Sequence, residues 1–112
     1  ENLAVSCALQ IIENMKELNK QLVSEGLSEI AIGIGINTGA AVIGNMGSET
    51  RFDYTAIGDA VNTAARFESA TKEQNATLLI GESTAGKSLH DLKWLNEISV
   101  KGKETKLQVF TV

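Results

Sequence analysis

Phe52-Asp53-Tyr54-Thr55-Ala56-Ile57-Gly58-Asp59-Ala60-Val61-Asn62-Thr63-Ala64-Ala65-Arg66 changes its periodicity halfway along. Residues 52–57 are rich in aromatic and β-branched side chains, which favours an extended strand. Gly58-Asp59 breaks that strand, and Asp59 stands where a helix N-cap belongs. From Ala60 to about Lys72 the alanine-rich pattern predicts a helix, with Ala60, Ala64, Phe67 and Thr71 along one stripe. Asn62 and Arg66 are four residues apart on that helix and so project from one face. Thr55 ends the incoming strand and can face the same space. The corner therefore offers a hydroxyl, a carboxamide and a guanidinium to one ligand. Spacing alone equally describes a solvated polar face, which is the commoner case on surface helices.

Upstream, Ala8, Ile11, Ile12, Met15, Leu18 and Leu22 recur at intervals of three and four, the apolar stripe of an amphipathic helix over residues 3–23, read as core. Gly26 is a natural stop. Ile30-Ala31-Ile32-Gly33-Ile34-Gly35-Ile36 alternates large with tiny side chains. As a strand it packs its isoleucines on one side and admits a backbone or ligand on the other. Asn37-Thr38-Gly39 is turn chemistry, Ala40–Gly44 a second strand, and Gly44–Thr50 a polar loop. Downstream, residues 77–80 form a short strand. Residues 95–100 and 106–112 form a hairpin around Lys101-Gly102-Lys103-Glu104-Thr105. This order predicts an α+β fold with helices on one face of a mainly antiparallel sheet.

The 112 residues are 43% apolar and 21% charged with net charge −4, an ordinary soluble balance and enough chain for a core. That charge argues against non-specific nucleic-acid binding, and a nucleotide site would need its cations gathered from Arg51, Arg66, Lys101 and Lys103. No apolar run reaches the roughly 18 residues of a membrane span and no signal peptide stands at the start, so a cytoplasmic location is expected. Glu1–Val5 already read as helix, as if the chain begins inside a larger domain. Cys7 is the only cysteine, which excludes an internal disulfide and suits a small apolar helix position.

Taken in order, Gly33–Gly39, Gly44-Asn45-Met46-Gly47-Ser48, Asp53–Arg66 and Val100-Lys101-Gly102-Lys103 resemble the successive motifs of class III nucleotidyl cyclase catalytic domains, of the adenylyl type. The resemblance covers essentially the whole chain and is most specific over residues 53–66. It implies a ferredoxin-like nucleotidyl cyclase fold truncated at its N-terminal side, with residues 1–112 as one partial catalytic domain. It implies that Asn62 orients the ribose and that Arg66 stabilises charge building on the α-phosphate. Thr55, with Ala56 beside it, falls where the base is selected, and threonine there is similar to bacterial-type enzymes that use ATP. A cation at Lys101 or Lys103, Lys101 the preferred of the two, is similar to the one that holds the β- and γ-phosphates.

The implied partners are ATP and either a second copy or another cyclase domain. The implied cofactor is Mg²⁺ or Mn²⁺ in the complete domain. The family's metal-binding aspartates belong to motifs upstream of the first helix seen here, and Asp53, Asp59 and Asp91 match none of them. No metal ligand is therefore expected in this chain, which should be inactive alone and as its own homodimer. A non-catalytic, cyclase-like dimerisation or regulatory module is the rival reading.

Gly81-Glu82-Ser83-Thr84-Ala85-Gly86-Lys87-Ser88 also matches the phosphate-cradling pattern G-x-x-x-x-G-K-[ST] after a strand. Only 24 residues follow it, too few for the parallel core that such a loop opens. The glycines of residues 33–39 fail the dinucleotide-binding spacing, and a strand follows them rather than a helix. His90 lacks nucleophilic partners nearby in sequence and reads as a surface residue, and Trp94 as a cover for the core edge.

Overall fold

The structure, a computed structural model, describes residues 1–48, 51–99 and 106–112. The elements run α1 (Asn2–Ser24), β1 (Ile34–Ile36), β2 (Val42–Ser48), β3 (Arg51–Ile57), α2 (Asp59–Ala70), β4 (Leu78–Gly81), α3 (Glu82–Ala85), β5 (Lys93–Ser99) and β6 (Lys106–Thr111). The main sheet has the order β1-β4-β6-β5, and β2 with β3 forms a separate antiparallel ladder. In the main sheet β4–β6 and β5–β6 are antiparallel, whereas β1 pairs parallel with β4, Ile34 opposite Leu78. The class is α+β, as expected, with one parallel ladder in the sheet.

The helices lie on both faces of this sheet, not on one. Leu78-Leu79-Ile80-Gly81 is buried at every position, and such a continuous apolar run needs cover on both sides. Leu79 packs with Phe67 and Ala70 of α2, together with Ile98 and Val109. Leu78 and Ile80 point the other way and join Val5 and Ala8 of α1. A strand with period-two geometry can serve two layers in this way.

The bare side of residues 33–35 is where α2 lies. A Cβ on Gly35 would stand 2.4 Å from the Ala64 carbonyl oxygen and 2.5 Å from the Glu68 nitrogen. One on Gly33 would meet the Thr71 hydroxyl. The space admits a backbone, and the backbone is that of the helix bearing Asn62 and Arg66. Ile34 and Ile36 pack against the α1 layer. Ile30 and Ile32 lie outside the strand, because the Asn19 side chain takes both backbone groups of Ile30, at 2.8 and 3.0 Å.

Other expectations change in detail. Of the α1 stripe, Ala8 is buried and Ile12 packs on the core, but Ile11 and Leu18 are exposed. Gly26 does end the helix at φ +78°, with Leu27 N–H donating to the Leu22 carbonyl and Gly26 N–H to that of Val23, the Schellman arrangement. Residues 44–48 continue β2 rather than forming a loop, in register with β3. Cys7 is exposed. Trp94 is 57% exposed and donates its indole N–H to Gln108, so it does not seal the core.

Candidate functional site

The corner between β3 and α2 is made by one residue. Gly58 caps the helix at φ 141°, ψ 170°, a backbone state that side-chain-bearing residues avoid. Its carbonyl accepts from the N–H groups of Val61 and Asn62. Asp59 is therefore not the cap; it is the acid of the first helical turn, where a carboxylate still suits the positive end of the helix dipole.

Asn62 is exposed and Arg66 half-buried, one turn apart on α2. Thr63 and Phe67, the next residue in each case, are buried and face the sheet. This phase fixes which side of the helix carries the polar pair. Thr55 is exposed and Ala56 half-buried on β3, opposite Gly44 and Ile43 respectively.

Arg66 does not hang in solvent. Its Nε donates to the Ser99 carbonyl at 3.2 Å, and its Nη2 donates to Glu73 Oε2 at 3.5 Å. The guanidinium is thereby held against the end of β5, the strand that leads in sequence to Lys101 and Lys103. Neither spacing nor composition signals Ser99, a tertiary neighbour 33 residues away, whereas Glu73 lies at the two-turn spacing i+7. Lys101 and Lys103 lie outside the described residues, as does the side chain of Arg51.

A cavity of about 380 Å³ opens on the inner side of α2, lined by Asn37, Thr63, Phe67, Ser83, Lys106 and Gln108 among others. Neither Asn62 nor Arg66 lines it.

The Gly81–Ser88 octapeptide is not a phosphate cradle. Gly86, Lys87 and Ser88 spend their N–H groups on the carbonyls of Glu82, Thr84 and Ala85, so those amides cannot converge on an anion. Thr84 is fully buried and bonds the Thr38 hydroxyl at 2.8 Å, pinning this segment to the end of β1. His90 is half-buried, and its Nε2 lies 2.8 Å from Ser6 Oγ, tying α1 to the loop before β5. Among the described residues no three His, Cys, Asp or Glu side chains group to hold a metal ion. Among the same residues no helix is long and apolar enough to cross a membrane.

Residues 2–112 match the family profile of the adenylate and guanylate cyclase catalytic domain. The chain belongs to that family. Adenylate cyclase 1 of Rhizobium meliloti is 33% identical over 111 residues, covering 97% of this chain and 17% of the relative. An adenylate cyclase of Anabaena cylindrica is 37% identical over 101 residues, 86% of this chain and 20% of the relative. Among solved structures, the adenylyl cyclase CyaB from P. aeruginosa superposes with a TM-score of 0.85 at 37% identity, over 96% of this chain and 55% of that one. The guanylyl cyclase Cya2 gives 0.79 at 30% identity, over 96% and 54%. This cyclase chain thus spans about half of those solved chains and a fifth or less of the two curated relatives.

Proposed function

We propose that this chain supplies the ribose and transition-state side of an ATP site in a class III adenylyl cyclase. The observation that carries this reading is the Asn62–Arg66 pair, Asn62 exposed and Arg66 half-buried with its guanidinium held at the end of the strand leading to Lys101-Gly102-Lys103. In the reaction the ribose 3′-oxygen attacks the α-phosphorus. A new P–O bond forms, the bond to the bridging α–β oxygen breaks, pyrophosphate leaves and the hydroxyl proton is released. Chemistry of this kind depends mostly on positioning and on stabilising spread negative charge. Asn62 hydrogen-bonds and orients the sugar. Arg66 meets the α-phosphate with a permanently charged, planar fork. Thr55 and Ala56 contact the base, and Lys101, with Lys103 beside it, meets the terminal phosphates. The preference for ATP rests on Thr55 and on the adenylyl relatives. Use of ATP fits a cytoplasmic location.

With Asn62 exposed, the reading favours a site completed by a second cyclase domain, either that of a second copy of the complete protein or a different one. That partner would bring the Mg²⁺ or Mn²⁺ ligands that the described residues do not assemble. Exposed Val42, Ile43 and Ile57 on the β2–β3 ladder offer apolar surface for such a contact. The same surface would serve a purely regulatory dimerisation module, which is the second reading.

Two experiments test the proposal. The isolated chain with ATP and Mn²⁺ should make no cyclic AMP, and cyclic AMP made by it would contradict the half-site. In the natural protein that carries this chain, Arg66→Ala should lower kcat by about 10²–10³-fold, the usual loss for one transition-state donor. Asn62→Ala should impair turnover while the protein stays folded. Cyclisation unaffected by both changes would leave the regulatory module standing.

A further inference from the structure

Arg66 is the residue on which the proposed chemistry leans most, and its geometry names a partner outside the family motifs. A guanidinium on a three-methylene arm samples many rotamers, and a catalytic one must be fixed in plane and position. Here two of its nitrogens are engaged, Nε with the Ser99 carbonyl at 3.2 Å and Nη2 with Glu73 Oε2 at 3.5 Å. Nη1 makes no hydrogen bond to the described residues, which leaves it for a phosphate oxygen. The Arg66 side chain is 27% exposed.

Glu73 is mostly exposed, but the turn that carries it is fixed at several points. Thr71, two residues before it, is buried and donates its hydroxyl to the Glu68 carbonyl at 2.7 Å. Gln74, just after it, accepts from the Asn96 amide of β5 at 2.9 Å. Asn75 closes the turn at φ +53°, and Ala76 N–H returns to the Thr71 carbonyl. Gln74 and Arg66 thus each tie the α2 side to β5, and Glu73 holds Arg66 from the turn between them in sequence.

We propose that Glu73 is a positioning residue for Arg66, holding the guanidinium in the plane from which it serves the α-phosphate. The inference rests on the reading of Arg66 given above. The opposite role, a carboxylate that competes with phosphate for the guanidinium, predicts the opposite sign and is decided by the same experiment.

The test is steady-state cyclisation of ATP by the natural protein carrying Glu73→Ala, Glu73→Gln, Arg66→Ala, or Arg66→Ala with Glu73→Ala. Exposed ion pairs are weak, so Glu73→Ala should lower kcat by no more than about five-fold. KM for ATP should stay within about two-fold. Glu73→Gln keeps an acceptor oxygen and should recover part of the loss. In the Arg66→Ala background the Glu73 change should do nothing further, because the residue it positions is gone. A lower KM with unchanged or raised kcat would overturn the proposal in favour of competition. An equal loss in both backgrounds would overturn it in favour of a purely structural role, and no loss in either background would overturn it outright. Should Arg66→Ala itself prove silent, the functional reading fails first, and the inference falls with it.

Discussion

An alanine Cβ at Gly35 would come within 2.5 Å of the α2 backbone at Ala64 and Glu68. Backbone cannot swing aside as a flexible side chain can, so Gly35→Ala must lift the helix or strain the strand. Overpacking of this kind costs about 1–3 kcal/mol. The denaturation midpoint should fall accordingly, and cyclisation should fall with it because the displaced helix bears Asn62 and Arg66. A midpoint equal to wild type would show that α2 does not lie on Gly35. Thr84 raises a different question at the same scale. Its side chain is fully buried and its hydroxyl bonds the Thr38 hydroxyl. Thr84→Val keeps the shape and removes that bond, so it should cost about 1 kcal/mol in urea unfolding and leave nucleotide chemistry untouched.

At the scale of elements, α2 was the most legible part of the sequence. The switch from extended to helical pattern at Gly58, the buried Phe67 and the polar pair at Asn62 and Arg66 are all local signals, and local physics sets them. The bare side of residues 33–35 was equally legible as a place for close approach, although not which backbone would fill it. What escaped depends on contacts distant in sequence. Two-sided burial of β4 follows from where α1 docks, and Arg66 meets Ser99 across 33 residues. Asp59 was misplaced by one residue because its type suits both the cap and the first turn, and only the φ of Gly58 separates the two. The Gly81–Ser88 segment shows the converse, a pattern strong in letters but folded as a helical turn with its amides already used. Lys87→Ala should therefore leave ATP affinity within about two-fold in a calorimetric titration, since one exposed charge far from the ligand contributes little. Loss of binding would restore the phosphate-loop reading.

Among the described residues of the whole molecule, exposed apolar side chains group in two stretches, besides single ones such as Leu3, Leu89 and Trp94. Val42, Ile43 and Ile57 are 60%, 63% and 50% exposed on the β2–β3 ladder, and Leu18, Val23, Leu27 and Ile30 are exposed along and after α1. Scattered exposure is ordinary, but contiguous apolar surface marks contact sites. Sedimentation of the isolated chain should show a species heavier than the monomer at high concentration, and Ile43→Lys should shift it toward monomer. A clean monomer throughout would remove the case for a partner on this surface. The central claim is that the Asn62–Arg66 face acts on a nucleotide whose metal ions a partner holds. Mixing this chain with a class III cyclase domain that keeps its metal aspartates but has lost its own transition-state arginine tests that claim most directly. Cyclic AMP should appear with the wild-type chain and fall to background with Arg66→Ala; equal output from both chains would contradict the account.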